Sequence, residues 1–275
     1  MGIVNIGSDS VADLRRLDTL DAQLEFAMRQ CRDGADIIDV GVQSGRTDTP
    51  ILAEQEEIAR LLPLVSALAE RGVLVSVDTW RAGVAEAVVR AGAALINDVG
   101  GLVDEGIADV VAASGVGLVV MHTRAAPKEE HFPSYEDAVA DIVAFIEERI
   151  ELALGRGVAH DQIVIDPGLD YAKTPHESIE ALRRLSELQR FDRPILLAVS
   201  RKYFIGMLTA SQPSERLAGT LAAVEFGVEA GAHIVRVHDV KEVVDFLRVR
   251  SELHGEGPPS LDGNPDDESL KWLAP

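Results

Sequence analysis

The sequence predicts an α/β fold, a closed (β/α)₈ TIM barrel built as a single domain, on three observations. Short apolar, β-branched runs alternate with amphipathic stretches along the chain, which is the pattern of repeated βαβ units. Eight such runs occur, and each is apolar enough for a strand that is buried on both faces. A chain of 275 residues with 47% hydrophobic residues also suits one large core better than two domains.

The predicted strands and helices alternate in chain order. The strands are Gly2–Ile6, Ile37–Val42, Val73–Thr79, Ala93–Val99, Gly115–Thr123, Ile163–Gly168, Pro194–Ser200 and Ile234–Asp239. The helices are Thr19–Asp33, Leu52–Arg71, Ala82–Ala91, Gly106–Ser114, Tyr135–Arg156, Glu177–Gln189, Ser214–Ala230 and Lys241–Leu253. An open doubly wound sheet stays an alternative, because the number of strands alone does not prove closure.

The two ends of the chain differ in character. The barrel is predicted to occupy residues 1–254, and the segment 255–275, rich in Gly, Pro and acidic residues, is predicted to be a polar acidic tail. The first predicted strand begins at Gly2, so nothing before it covers the N-terminal mouth of the barrel. We therefore expect the true start of the chain to lie further upstream.

Charge and cysteine content restrict the partners and the compartment. The 26 Lys and Arg against 46 Asp and Glu give a formal net charge of −20, which argues against nucleic acid or an anionic membrane as a partner. An anionic ligand would need a local positive pocket. The single cysteine, Cys31, cannot form an intrachain disulfide, and no apolar run reaches the ~18 residues of a membrane span. We expect a cytoplasmic protein.

Polar residues stand at the C-terminal ends of nearly all the predicted strands, where barrels of this kind carry their chemistry. They are Asn5, Asp39 with Gln43 to Arg46 beyond it, Asp78, Asn97 with Asp98, His122, Asp166, Ser200 to Lys202, and Arg236 with His238. One such residue is usually a helix cap, a turn former or a hydrogen bond inside the barrel. The full set predicts a polar active site on this face.

Arg236 and His238 share strand parity, so both side chains project to one face of the last strand. That face is predicted to point inward, because the outer wall packs on helices. Two interpretations of Arg236 stay open. The arginine forms a buried ion pair with a barrel carboxylate such as Asp39, or its planar fork binds the phosphate of a ligand.

Asp78, Asn97 and Asp166 end three separate strands and are expected to face a shared cavity. Together they offer acceptors for a flat heterocycle with several N–H and amine donors. Asp166-Pro167-Gly168 is also a common turn sequence. A metal site is a rival use of such residues, although the Asp and His spacing is not that of a permanent metal cage.

These motifs resemble those of the dihydropteroate synthases, folate-pathway enzymes of the pterin-binding barrel family, over essentially the whole chain. Three segments carry most of the resemblance: Ser200-Arg201-Lys202-Tyr203-Phe204-Ile205-Gly206, Glu215-Arg216-Leu217-Ala218-Gly219-Thr220 and Arg236-Val237-His238-Asp239-Val240. Shorter matches are Met1–Asn5, Ser76–Thr79, Ile96–Val99, Met121-His122 and Asp166–Gly168.

The resemblance implies that 6-hydroxymethyl-7,8-dihydropterin pyrophosphate condenses with p-aminobenzoate in the presence of Mg²⁺, with release of pyrophosphate. It implies a pterin subsite formed by Asp78, Asn97, Asp166 and Lys202, and a pyrophosphate subsite formed by Asn5, Arg46, Arg236 and His238. Asn5 would also help to place Mg²⁺. Asp78, Lys202 and Arg46 are expected to act in catalysis, Asp78 by stabilising positive charge on the pterin methylene. A homodimer is also implied, and the N-terminal hairpin of the family is expected to be missing.

Departures from the family pattern affect the loops after the first two strands and the aminobenzoate pocket. Val11 replaces a Phe of the first loop, and Gly45 and Thr47 replace a Thr and a Pro of the second. Tyr203 replaces a small hydroxyl residue after the lysine, and Tyr171 stands where Phe is common. Two alternatives therefore stay open: a pterin-binding paralogue that is non-catalytic or uses another amine, and a methyltetrahydrofolate methyltransferase of the same fold.

Overall fold

A computed structural model describes residues 1–7, 17–43 and 50–256, in which strands and helices alternate. The strands are β1 (Gly2–Asn5), β2 (Ile37–Gly41), β3 (Leu74–Asp78), β4 (Leu95–Asp98), β5 (Gly117–Met121), β6 (Ile163–Asp166), β7 (Leu196–Leu197) and β8 (Ile234–Val235). The helices are α1 (Leu20–Arg32), α2 (Glu54–Ala69), α3 (Ala82–Arg90), α4 (Gly106–Ser114), α5 (Ala138–Gly155), α6 (Pro175–Arg183), α7 (Tyr203–Thr209), α8 (Leu217–Glu229) and α9 (Val240–His254). Residues 257–275, nearly all of the predicted tail, lie outside the described residues.

The strands are paired in parallel and in sequence order. Strands β1 to β6 form one six-stranded sheet, and β7 pairs with β8. Single parallel bridges join these two sheets on both sides, from Gly2 to Val237 and from Ile165 to Ile195. An open doubly wound sheet reverses its strand order at a switch point, and this arrangement does not. The predicted barrel is confirmed.

Strand alternation divides the core into two layers. Leu118 and Val120 of β5 belong to the large apolar cluster between strands and helices. Val119 belongs instead to a small cluster with Met1, Leu95 and Leu196, which lie at or near the starts of their strands. This apolar layer fills the N-terminal end of the barrel, so the polar side chains at the C-terminal ends of the strands lie above a closed apolar floor.

The structure differs from the predicted helices around α6 to α8. The predicted helix Glu177–Gln189 is divided into α6 and a 3₁₀ turn at Leu185–Phe191, and α8 becomes helical only from Leu217. Helix α7 was not predicted, because the seven residues after Lys202 are too few to show a helical period. In the described ranges, no helix is both long and apolar enough to cross a membrane.

Candidate active site

A buried ion-pair network occupies the C-terminal face of the barrel, with Asp39 of β2 at its centre. The Asp39 side chain is 0% exposed. Its Oδ1 accepts the Ser76 hydroxyl at 2.5 Å, and its Oδ2 accepts Asn97 Nδ2 at 3.2 Å and Arg236 Nε at 2.6 Å. Arg236 also donates from Nη2 to Asp78 Oδ2 at 3.3 Å. Of the two interpretations of Arg236, the structure therefore contains the buried ion pair with Asp39. Among the described residues, none is hydrogen-bonded to Nη1 of Arg236.

Asp78 at the end of β3 has an unusual acidity. Burial raises its pKa to about 7, and the nearby carboxylates of Asp39 and Glu57 act in the same direction while Arg236 opposes them. The carboxyl group therefore titrates near neutrality. Such a group is common at active sites, where neighbouring charges set its protonation.

Asp166 and Lys202 lie on the opposite side of this network. Asp166 Oδ1 accepts the backbone N–H of Gly168 at 2.7 Å, so the predicted turn is present and Oδ2 is left for a ligand. Lys202 Nζ donates to the carbonyl of Leu169 at 2.7 Å and lies 4.7 Å from the ring centroid of Tyr171. Burial lowers the pKa of Lys202, while the neighbouring carboxylates, Asp166 among them, act to raise it.

His238 presents one ring nitrogen to the site. Its backbone N–H donates to Ser200 Oγ at 3.1 Å, and its Nδ1 lies 3.0 Å from the same oxygen. Ser200 Oγ accepts the backbone N–H, and in the tautomer in which its own proton points to Nδ1 the ring hydrogen is on Nε2. Burial, followed by the charges of Arg236 and Arg201, lowers the pKa of His238 to about 3. The ring is therefore neutral, and in this tautomer it offers Nε2–H as a donor.

Asn5 ends β1, and its Oδ1 accepts the backbone N–H of Gly7 at 3.0 Å. An amide oxygen that accepts one hydrogen bond keeps a second lone pair for a cation. In the described part of the chain, one group of three carboxylate and imidazole ligands is close enough to hold a metal, and it lies on α8 and α9: Glu225, Glu229 and His254.

The three sequence segments that carry the family resemblance meet around Lys202. Arg201 forms an ion pair with Asp239 at 2.6 Å, and its backbone N–H donates to Thr220 Oγ1 at 3.0 Å. Arg216 donates from Nη1 to the carbonyls of Arg201 and Lys202 at 2.9 and 3.1 Å. Arg201 has a φ of 58°, so its backbone needs these contacts to keep its left-handed conformation. The segments together fix the position of Lys202.

Gln43 and Asp98, two of the strand-end residues, have structural roles. Gln43 donates to buried Glu57 at 2.8 Å and accepts the Leu52 backbone N–H at 3.0 Å, so it anchors the end of β2 to the start of α2. Asp98 accepts the backbone N–H groups of Gly100 and Leu102 at 2.8 and 2.5 Å. Both side chains satisfy local backbone donors and thereby fix the ends of their strands.

His122 is also buried away from the cavity, between Asp141 and Lys173. Sequence reasoning missed Lys173, which is among the largest buried side chains.

Arg46, predicted for catalysis and for pyrophosphate binding, lies outside the described residues, as do Val11, Gly45 and Thr47. Tyr203 is described, and its side chain is exposed.

A cavity of about 180 Å³ opens beside the network, between the loops after β5 and β6. Asp78 and Tyr171 lie on its wall and connect it with the polar residues below. The other lining residues are Gln43, Trp80, Val99, Thr123, residues 125–132, Asp170 and Ala172. The cavity therefore adjoins the polar network at Asp78.

Comparison with known proteins agrees with this geometry. Residues 1–238 match the family model described as pterin binding enzyme. The chain is 38% identical to the dihydropteroate synthase of Bacillus subtilis over 259 residues, which cover 94% of this chain and 89% of that protein. The chain belongs to the dihydropteroate synthase family. The synthase of Escherichia coli K12 is 37% identical over 251 residues, with 90% and 89% covered.

Solved dihydropteroate synthases have the same fold. A Yersinia pestis enzyme in complex with a sulfonamide drug superposes with a TM-score of 0.88 at 36% identity, and the match covers 93% of both chains. A Xanthomonas albilineans enzyme with 4-aminobenzoic acid gives 0.85 at 34% identity, over 94% of this chain and 93% of that one. The same enzyme with 7,8-dihydropteroate gives 0.83 at 35%, with the same coverage.

Proposed function

We propose that this protein is a dihydropteroate synthase, which condenses 6-hydroxymethyl-7,8-dihydropterin pyrophosphate with p-aminobenzoate and releases pyrophosphate. One observation carries the proposal. The strand ends that bear Asp78, Asn97, Asp166 and Lys202 form one polar face in a chain that is 38% identical to a dihydropteroate synthase. Relatives of this kind favour the synthase over a methyltransferase of the same fold.

The polar face suits a pterin in its donor and acceptor pattern. Asp166 Oδ2 is left to accept from the amino-pyrimidine edge, because the turn uses only Oδ1. Lys202 keeps donors for the oxo and ring-nitrogen side, because the Leu169 carbonyl takes only one of its three. Asn97 donates to Asp39 through its amide nitrogen and keeps its amide oxygen for a ring N–H.

The reaction breaks the bond between the pterin methylene and the pyrophosphate oxygen and forms a bond from the same carbon to the amine nitrogen. Positive charge grows on the methylene as the pyrophosphate leaves, and the carboxylate of Asp78 stabilises it electrostatically. The amine nitrogen attacks and then loses a proton to solvent or to the leaving group. Asp78 acts in its ionised form, which predominates above its pKa of about 7.

The pyrophosphate subsite combines donors with a place for Mg²⁺. Arg236 Nη1 and His238 Nε2 lack protein partners among the described residues and would donate to phosphate oxygens. The amide oxygen of Asn5 fits Mg²⁺, which binds through one or two protein oxygens together with phosphate oxygens and waters. Bound there, the ion would supply positive charge to the leaving group. Arg46 completes this subsite in the proposal.

A turnover assay tests the proposal. The protein is incubated with dihydropterin pyrophosphate, labelled p-aminobenzoate and Mg²⁺, and labelled dihydropteroate is measured. We expect product from the wild type, no product from Lys202→Ala, and normal turnover from Lys241→Ala, whose side chain is exposed on α9. Release of pyrophosphate without labelled product would indicate another amine acceptor. Calorimetry that shows no binding of the pterin substrate to the wild type would refute the proposal altogether.

The proposal includes a homodimer in the cytoplasm. An apolar groove of about 370 Å³ lies between α6, α7 and α8, and Leu208 and Phe226 on its rim are exposed. Such a patch favours association with a second copy. Light scattering after gel filtration should give a dimer mass for the wild type and a monomer mass for Leu208→Lys. A monomeric wild type would contradict the proposed homodimer. The lone cysteine, Cys31, supports a reducing compartment.

A further inference from the structure

Lys173, in the loop between β6 and α6, is a buried lysine that the reaction as described does not use. Its side chain is 2% exposed. The ammonium donates to the carbonyls of Gly168 and Tyr171 at 2.9 and 3.1 Å, and it lies 2.6 Å from Nδ1 of His122. These three partners match the three donors of the protonated amine, whose pKa burial lowers to about 7.

The loop that Lys173 holds has a strained backbone. Asp170 and Ala172 have φ values of 63° and 50°, in the left-handed region that non-glycine residues rarely adopt. Gly168 has a φ of 65°, and a Cβ there would come within 1.9 Å of the carbonyl oxygen of His122. This backbone persists only where contacts fix it, and two of its carbonyls converge on the Lys173 ammonium.

The same loop forms one wall of the pterin site. Its Leu169 carbonyl accepts Lys202 Nζ at 2.7 Å, and its Tyr171 ring lies 4.7 Å from that nitrogen. Asp170 Oδ2 accepts the backbone N–H of Tyr203, the first residue of α7, at 2.5 Å. The position of the Lys202 amino group therefore depends on the conformation of this loop.

Helix α5 anchors the other side of Lys173. The ring of His122 lies 2.9 Å from Asp141 through Nε2, and Asp141 also accepts Arg124 Nε at 2.9 Å. Burial lowers the pKa of His122 to about 3, so the ring is neutral. Its hydrogen is on Nε2, toward the Asp141 carboxylate, and Nδ1 is left to accept from Lys173. Lys173 thus connects the loop to His122 and, through His122, to Asp141 of α5.

We infer that Lys173 is a positioning residue of the pterin site, which holds the Gly168 and Tyr171 carbonyls so that the loop presents the Leu169 carbonyl to Lys202. The inference rests on the proposed function, because it concerns the pterin that Lys202 binds. Lys173 acts through Lys202 and does not itself contact the substrate. Its effect on pterin binding must therefore disappear when Lys202 is removed.

A double-mutant cycle tests this dependence. Lys173→Met keeps the length of the side chain and removes its donors. We expect Lys173→Met to weaken calorimetric binding of dihydropterin pyrophosphate about tenfold, the effect of one lost hydrogen bond to a charged group. In a Lys202→Ala background, the same substitution should change the Kd by less than about twofold. Lys241→Met on the surface of α9 is the control and should leave the Kd unchanged.

The kinetic readout separates positioning from loss of folded protein. Unfolded protein lowers kcat through the number of active sites and leaves KM unchanged, whereas misplacement of Lys202 raises KM for the pterin substrate. If the Met variant does not fold, Lys173→Gln, a shorter neutral donor, replaces it in the same cycle. An unchanged Kd in the single variant, or an equal change in both backgrounds, would overturn the inference. A wild type that binds no pterin would instead refute the proposed function.

Discussion

The hydrogen bonds of Asp39 make Asp39→Asn an informative substitution. Oδ2 of Asp39 faces two donors, Arg236 Nε at 2.6 Å and Asn97 Nδ2 at 3.2 Å, while Oδ1 faces the Ser76 hydroxyl at 2.5 Å. An asparagine has to place its NH₂ group on one of these sides. Only the Ser76 oxygen can accept it, so the amide oxygen stays toward Arg236. The hydroxyl proton of Ser76 and the charge of Arg236 then lose their partner.

The loss of a buried ion-pair partner sets the size of the effect. Removing one partner of a buried pair costs about 3–5 kcal/mol of unfolding free energy. Arg236 is 19% exposed and keeps Asp78 at 3.3 Å, so the lower end, about 3 kcal/mol, is expected here. At about 2–4 °C per kcal/mol for a chain of this size, the Tm should fall by about 6–12 °C.

Thermal unfolding and pH profiles check this prediction. Asp161→Asn, at an exposed aspartate, is the matched control and should leave the Tm unchanged. Asp39 is one of the carboxylates that raise the pKa of Asp78, so Asp39→Asn should also move the acid limb of kcat/KM to lower pH. A Tm equal to that of the control would refute the stabilising role of the network. An acid limb that does not move would refute its coupling to Asp78.

Five further predictions concern the same face of the barrel. Wild-type kcat/KM should fall below pH of about 7, the pKa of Asp78, and Asp78→Asn should remove this limb. Because the folded pKa of Asp78 lies above its unfolded value, the free energy of unfolding should decrease as pH rises through about 7, as measured by denaturant titration. Ser200→Ala, which frees the tautomer of His238, should raise KM for the pterin substrate about tenfold, and Ser200→Thr should restore it. Gly206→Ala should lower the Tm, because a Cβ there would come within 2.2 Å of Arg216 Nη2. Chelation of Mg²⁺ should abolish calorimetric binding of pyrophosphate, and retained binding would contradict the proposed role of the ion.

The fold was predictable because the periodicity of the sequence is strong where the barrel is regular. Buried β-branched runs and amphipathic stretches predicted eight strands in sequence order, and the structure confirms the number and the order of the strands. Strands β7 and β8 are paired over only two residues each, far fewer than their apolar runs predict. An apolar run predicts which residues are buried, and it does not fix how many of them form hydrogen bonds with a neighbouring strand. The capping box at Thr174 and Glu177 also marks the start of α6, at Pro175, two residues before the predicted one.

The site was predictable in its residue types and less so in its contacts. Strand parity predicted that Arg236 and His238 point inward, and the structure places Arg236 against Asp39 inside the barrel. A charged residue inside the apolar run of β2 was a signal that a buried partner exists. Lys173 gave no such signal, because its partners include backbone carbonyls, which every sequence contains. Only the left-handed turns of its loop bring those carbonyls together.

The charges of this face decide what the pyrophosphate subsite needs. Arg236 is compensated by Asp39 and Asp78, and the carboxylates of Asp170 and Asp166 act on the positive charge of Lys202. His238 is neutral, because burial and its cationic neighbours lower its pKa to about 3. The described strand-end residues therefore supply donors to an anion without an excess of positive charge, inside a chain whose net charge is −20. The proposed pyrophosphate subsite therefore needs further positive charge, which Arg46 and Mg²⁺ at Asn5 would supply in the proposal.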